Sequence, residues 1–404
     1  MRDIASLVIA CTIVASCTRS SDTEEAEFQS KQDSVSRITD SASLAAMKVE
    51  EENVDTTSFT ITDSTIQIKR DIYPTVTGRI VSLLVTGIDA RLGEGSGRAD
   101  ANHIIRFILD SGYIEIISIP RGTYANAGFD DTTNLNMIAN VRTARGKQAY
   151  LREVARIAGI PKVDYWVEFG FSQAIGLLEL MGYKENANST LRVLRSRKAY
   201  ASGDFQRSYN QGQFIRQAVL RTFDKTDDVM GQLAMRAALM LVETNLTYDI
   251  TQYLLNEVRG KGFSSASQDR IWVRMRPATV SRFQVFSFDS SNVGRLNEQI
   301  SKRVDPMIPD SAAERSADYE RRLVRIVERA GADSASAPKR VISALSRPFL
   351  QRAWLQIQDK QKRLVTRDRI CGLLMSAHTR AGDTAAVSSI QQYLEIDNKA
   401  TAGR

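Results

Sequence analysis

Four short polar segments carry the residues in this chain best suited to chemistry. In the first, Thr86-Gly87-Ile88-Asp89-Ala90-Arg91, an apolar run ends on a carboxylate and then a guanidinium, and Gly97-Arg98-Ala99-Asp100 follows shortly after. Open sheets bind ligands beyond the carboxyl ends of their strands, which is where Asp89 falls. Asp89 and Asp100 near one sheet edge would offer hard oxygen ligands to a Mg²⁺ ion holding a phosphate. An isolated aspartate near a turn is, however, more often a turn or cap residue. The second segment, Ser118-Ile119-Pro120-Arg121-Gly122-Thr123, ends another apolar run on proline and arginine; alone it reads equally as a solvated loop. In the third, Leu194-Arg195-Ser196-Arg197-Lys198, an extended chain would point Arg195 and Arg197 the same way. Paired guanidinium forks suit a diphosphate, and a basic surface loop is the plainer alternative. The fourth, Gly203-Asp204-Phe205-Gln206-Arg207-Ser208-Tyr209-Asn210-Gln211, opens a helix with Asp204 as N-cap and with Arg207 and Gln211 on its face. A helix N-terminus favours anions; the alternative is an ordinary capped amphipathic helix running on through Phe214, Ile215, Val219 and Phe223.

Composition narrows what these segments can do. Two histidines, His103 and His378, leave little room for a multi-histidine metal centre or a histidine-based triad. Three cysteines, Cys11, Cys17 and Cys371, support neither a disulfide framework nor a four-cysteine zinc site. The 404 residues carry a net charge of +7, but residues 17–60 hold ten acids against four bases, so residues 61–404 carry +13. A basic body behind an acidic leader points to an anionic partner. Nucleic acid is not that partner: the chain reads as exported, and no recognised nucleic-acid motif accompanies the charge.

The elements that must position these residues are mixed. Residues 4–16 form an uncharged stretch too short to span a bilayer and of the length of a signal-peptide core. It ends Ile13-Val14-Ala15-Ser16-Cys17, which resembles a bacterial lipoprotein signal with Cys17 as the lipidated residue. Residues 1–16 are therefore expected to be a signal peptide and 17–70 a Ser/Thr-rich acidic tether, with an edge strand within 58–69. The protein is expected outside the cytoplasm as a membrane-anchored lipoprotein, and Cys371 as a buried small apolar residue. In 71–308, strands are expected at 80–88, 103–109, 113–119, 163–169, 270–276 and 282–288. Helices are expected at 136–157, 172–181, 204–223, 228–246 and 249–258. This is an α/β pattern, a mixed central sheet flanked by helices. From 309 to 404 only helices are expected, at 312–330, 338–345, 348–360, 367–379 and 385–394, as a small all-α C-terminal region.

Taken in order, the motifs resemble the LytR-CpsA-Psr family of bacterial cell-envelope phosphotransferases. The set comprises Gly-Ile-Asp-x-Arg at 87–91, Gly-Arg-x-Asp at 97–100, Ser-Ile-Pro-Arg at 118–121, Leu-Asn at 135–136, Gly-Ile-Pro-x-x-x-Tyr-x-x-x-Phe at 159–169, Arg-Ser-Arg-Lys at 195–198, and Gly-Asp-Phe-x-Arg at 203–207 with Gln211. The resemblance covers about residues 75–305. It implies transfer of a phosphate-linked glycan from a polyprenyl-diphosphate carrier to a cell-wall acceptor hydroxyl. It also implies Asp89 and Asp100 as Mg²⁺ ligands, catalytic roles for Arg121, Arg197, Asp204 and Arg207, and substrate contacts for Arg91, Arg98, Arg195 and Gln211. Two positions depart from the family pattern: Gly122 stands where an acid is usual and Asn210 where an arginine is usual. Those departures leave open a non-catalytic protein that holds polyprenyl phosphate or its glycan, and the added helices leave open an envelope adaptor.

Overall fold

The computed structural model describes residues 65–68, 76–90, 92–94, 97–183, 186–196, 203–278, 281–304 and 311–402. The signal peptide, Cys17, nearly all of the tether, Arg91 and Arg197 lie outside them.

A six-stranded sheet organises the chain. Its strands are β2 (Ile80–Asp89), β3 (Arg98–Ile108), β4 (Tyr113–Ile119), β5 (Tyr165–Phe169), β6 (Glu243–Thr244) and β7 (Ile271–Met275), in the spatial order β6-β5-β2-β3-β4-β7. β2 runs parallel to β5 and β4 parallel to β7, while β3 is antiparallel to both β2 and β4. The carboxyl ends of β2, β4, β5 and β7 therefore meet at one end of the sheet, beside the start of β3. Both faces of the sheet are covered, which is why β2 reads as an almost unbroken apolar run instead of an alternating one. A separate two-stranded ribbon joins β1 (Thr65–Ile68) to β8 (Ser281–Gln284). The strand expected within 58–69 thus exists but pairs away from the main sheet.

Helix α1 (Ile138–Ala158) covers one face. It is interrupted at Gly146 (φ 81°) and capped by Gly159 in the left-handed conformation. The other face carries α2 (Phe171–Leu180), α3 (Ala187–Arg195), α4 (Gly203–Thr222), α5 (Val229–Leu241) and α6 (Tyr248–Gly260), followed by α7 (Ser290–Val304). α4 comes closest: a Cβ on Gly212 would sit 2.5 Å from Ser118 Oγ and 2.7 Å from Val273 Cγ1. Only glycine lets this helix lie directly on β4 and β7.

The C-terminal helices are α8 (Ser311–Ala332), α9 (Pro338–Leu350), α10 (Lys360–Ala381) and α11 (Thr384–Ala402). α11 packs on α5, and the 3-10 turn Ala353–Gln356 packs on α2. Leu323, Val341, Trp354, Ile370 and Tyr393 consequently belong to the same buried apolar cluster as Leu178, Phe214 and Ala238 of the sheet-bound helices. Cys371 is fully buried there, and burial pushes its thiol up to about 12. Its burial fits the expectation of a cysteine acting as a small apolar residue.

Several boundaries differ from the sequence reading for identifiable reasons. The helix expected over 228–246 stops at Leu241, because Glu243 and Thr244 pair with β5 as the edge strand β6. The helix expected over 348–360 does not form. Pro348 lies in the last turn of α9, which starts on Pro338, where the missing amide costs nothing. Helices α3 and α7 were not expected. In α3, Ala187, Thr190, Leu191 and Leu194 are buried at helical spacing, so Arg195 ends a helix and the extended-chain pairing of Arg195 with Arg197 does not apply.

Candidate functional site

Aspartates and arginines converge where the parallel strands end. β2 delivers Asp89, β3 begins with Arg98 and Asp100, and β4 runs through Pro120 into Arg121. Asp100 owes its orientation to a β-bulge. Gly87 lies opposite Ala101, but Ile88 lies opposite Ala99, which leaves Asp100 as the extra residue. On one side of the bulge Ala101, Ile105 and Phe107 pack on the α4 face; on the other, Ala99 packs on the α1 face. The inserted residue breaks the alternation and lets Asp100 turn toward α4, a re-aiming that bulges supply. The loop back to β3 closes tightly. A Cβ at Gly97 would lie 2.0 Å from the Asp89 carbonyl oxygen, so only glycine fits.

A chain of alternating charges follows. Arg121 donates from Nη1 to both Asp100 oxygens, at 3.2 and 3.4 Å, and from Nε to Asp204 Oδ2 at 3.3 Å. Asp204 Oδ1 lies 2.6 Å from Nη2 of Arg207, one helical turn further along α4. Arg121 is 11% exposed and Arg207 only 4%, so these pairs are screened little by water. At the rim, Arg98 Nη2 is 3.7 Å from Asp89 Oδ2, and the Asp89 side chain keeps 27% exposure. The structure therefore brings Asp89, Arg98, Asp100, Arg121, Asp204 and Arg207 to one end of the sheet.

Gln211 lies deeper. Its Nε2 donates to the Leu194 carbonyl at 3.0 Å and its Oε1 faces His103 Nε2 at 3.1 Å; His103 Nδ1 is 2.8 Å from Ser118 Oγ. With the Gln211 amide nitrogen committed to a carbonyl, His103 donates from Nε2 and its Nδ1 accepts from the Ser118 hydroxyl. Desolvation lowers His103 to about 4, with the Arg207 charge adding to the effect, so the ring is neutral at pH 7. His103 and Ser118 thus pin α4 to β3 and β4. Sequence reading named both residues but gave neither a role. The available signal was a histidine in phase with the core residues Ala101 and Ile105, a polar group at a position that burial would force to find partners.

Arg195 stands beside this lock, as the residue after Leu194, with its guanidinium 4.7 Å from the Phe171 ring. Asn210 is buried on α4. It accepts from Gln206 Nε2 at 2.7 Å, and Gln206 also bonds the backbone N–H and carbonyl of Gln284 in β8. The departure at 210 therefore sits in a buried amide ladder. Gly122 occupies the turn after Arg121.

A second polar network braces the same strand ends from the α1 face. Arg142 grips Glu168 through two bonds of 2.8 and 2.9 Å, and Lys147 reaches the same carboxylate at 2.8 Å. The Tyr150 hydroxyl lies 2.9 Å from Thr86 Oγ1 and donates to Asn102 Oδ1 at 2.6 Å. Arg142, Lys147, Tyr150 and Glu168 were not singled out by the motifs.

Among the described residues, no group of three or more histidine, cysteine or acidic side chains is arranged to hold a metal ion. Asp89 and Asp100, the two carboxylates expected to bind Mg²⁺, are already paired with arginines, Asp89 with Arg98 and Asp100 with Arg121. That ion is commonly held by one or two carboxylates, the remaining positions going to water and phosphate oxygens.

The LytR_cpsA_psr family model matches residues 31–181. No curated protein matches the chain. Among solved structures, protein gbs0355 from Streptococcus agalactiae is similar at 15% identity, covering 56% of this chain and 88% of its own, with a TM-score of 0.40. TagV from B. subtilis is similar at 19% identity, covering 57% of this chain and 99% of its own, with a TM-score of 0.39.

Proposed function

We propose that this chain, whose residues 31–181 match the LytR_cpsA_psr family model, is a LytR-CpsA-Psr protein that transfers a phosphate-linked glycan from a polyprenyl-diphosphate carrier to a hydroxyl of a cell-wall or envelope acceptor. The family is one of extracytoplasmic cell-envelope proteins known for cell-wall glycopolymer transfer. The observation that carries the reading is the run Asp100–Arg121–Asp204–Arg207 at the strand ends, with Arg98 and Asp89 at its rim.

Phosphoryl transfer asks a protein for positioning and charge neutralisation more than for covalent chemistry. Arg121 and Arg207 are aligned by the carboxylate between them, so their forks are organised before substrate arrives. Their role is to hold the diphosphate and to stabilise the charge that grows on the departing lipid phosphate. Arg98 adds a donor at the mouth and Arg195 one beside Gln211; Arg91 and Arg197 lie outside the described residues and enter the proposal only as further substrate-binding and catalytic candidates. The acceptor oxygen bonds to the phosphorus that carries the glycan, the bond to the bridging oxygen breaks, and polyprenyl phosphate leaves with that electron pair. The hydroxyl proton passes to a carboxylate of the site. Asp89, the more exposed one, suits this through the oxygen that a metal ion would leave free, whereas Asp204 already lies against two guanidiniums. Mg²⁺ on Asp89 and Asp100 would supply further neutralisation of the diphosphate.

Among the described residues no helix is long and apolar enough to cross a membrane. In this reading a lipid on Cys17 holds the protein at the membrane that contains its substrate. Mass spectrometry of the full chain purified in mild detergent tests the ligand class. A co-purified polyprenyl phosphate or diphosphate is expected; a different bound lipid class, or none after incubation with polyprenyl diphosphate, would contradict it.

A further inference from the structure

The β2–β3 loop stands between Asp89 and Asp100, and part of what fixes it comes from the C-terminal helices. The Gln351 side chain, immediately after α9, lies along this loop. Its Oε1 accepts from the Gly93 N–H at 2.9 Å, and its Nε2 donates to the Glu94 carbonyl at 3.0 Å. A primary amide offering one acceptor and one donor to successive backbone groups supplies what a neighbouring strand would otherwise supply. The far end of the loop is fixed separately, by the fit of Gly97 against the Asp89 carbonyl and by Thr143 Oγ1, which donates to the Gly97 carbonyl at 2.9 Å.

Gln351 is itself held on both sides. The carbonyl of Leu350 accepts from Gln173 Nε2 at 3.1 Å, and the same Gln173 amide also bonds the Leu241 carbonyl and the Gly170 N–H, each at 2.6 Å. Arg352 takes a positive φ of 51°, donates to the Met240 carbonyl at 2.7 Å, and stacks 4.0 Å from the Tyr393 ring. Residues 350–352 are thus anchored to the start of α2, the end of α5 and the aromatic core of the C-terminal helices. A glutamine on so rigid a base loses little further freedom in holding the loop.

We infer that Gln351 is a positioning residue of the site: through it the helical C-terminal region fixes the β2–β3 loop and hence the placement of Asp89 relative to Arg98 and Asp100. Its kinetic consequence rests on the proposed transferase reaction; its structural consequence does not.

Amide hydrogen exchange on the full chain tests the structural part. Gln351→Ala removes both bonds, so exchange across 90–97 is expected to accelerate about tenfold, the effect of losing one or two net hydrogen bonds. Exchange in β2 and α4 is expected to stay as in the wild type, which separates a loosened loop from a loosened fold. Gln351→Glu keeps the acceptor for Gly93 but cannot donate to Glu94, and should fall between. Unchanged exchange at 90–97 in Gln351→Ala would overturn the inference. In turnover of a polyprenyl-diphosphate glycan, Gln351→Ala is expected to lower kcat severalfold and leave KM for the donor unchanged; an unaltered kcat would also overturn it. A wild-type protein that releases no polyprenyl phosphate would refute the proposed reaction, and exchange would still decide the role of Gln351.

Discussion

Arg121 is the residue through which the two halves of the site communicate, since it bonds both Asp100 on the sheet and Asp204 on the helix. Arg121→Lys keeps a cation between the two carboxylates but loses the fork, so the fold should survive. Transition-state stabilisation should fall by at least about a hundredfold in kcat, the effect of removing one oriented donor. Steady-state kinetics with a circular dichroism control checks this. His103 gives a pH signature. Its folded value, about 4, lies below the ordinary 6.5, so above pH 6.5 both folded and unfolded chains keep it neutral and stability is unaffected. As pH falls from 6.5 to 4 the unfolded chain takes up the proton first, and about 3 kcal/mol of stability is lost. His103→Gln should remove that part of the decline in denaturant titrations run across this range; an identical slope in the variant would contradict it. At this scale the sequence was most legible where a charged residue closes an apolar run, as at Asp89 and Arg121. It was least legible where a buried polar side chain acts through a partner distant in sequence, as His103 does through Gln211.

Elements decide how those residues meet. The bulge at Asp100 and the glycine at 212 are one-residue features with large consequences: one turns a carboxylate toward α4, the other lets α4 descend onto β4. Gly212→Ala would drive a methyl group into Ser118 Oγ and Val273, and should cost about 1–3 kcal/mol as the helix lifts. Thermal denaturation measures this, and the neutral His103–Ser118 bond should weaken with it; an unshifted melting temperature would show that the packing gives way freely. The main strands and the long helices followed from apolar spacing. Helix α3 was not seen because five of its nine residues, Asn188, Ser189, Thr190, Arg192 and Arg195, have polar side chains and leave only a short, interrupted apolar stripe. Strand β6 was hidden because two residues give no periodicity, and its pairing with β5 is a tertiary fact.

For the molecule as a whole, the basic excess seen in the sequence separates into two populations. Some arginines form the strand-end site, while others, such as Arg321 and Lys362, pair with acidic neighbours on the surface of the C-terminal helices. Those helices share their apolar core with the sheet-bound helices. Trp354→Ala, which empties a fully buried site in that core, should cost about 3–5 kcal/mol and lower a single calorimetric transition. Two separated transitions would mean that the helical region melts by itself. The central claim is that the aligned arginines at the strand ends drive release of a lipid phosphate. Its most direct test is the rate at which the purified full chain, with Mg²⁺ and acceptor glycan, liberates polyprenyl phosphate from a polyprenyl-diphosphate glycan, measured side by side with folded Arg121→Lys. The account predicts multiple turnovers by the wild type and a rate at least about a hundredfold lower in the variant; equal rates in the two proteins would contradict it.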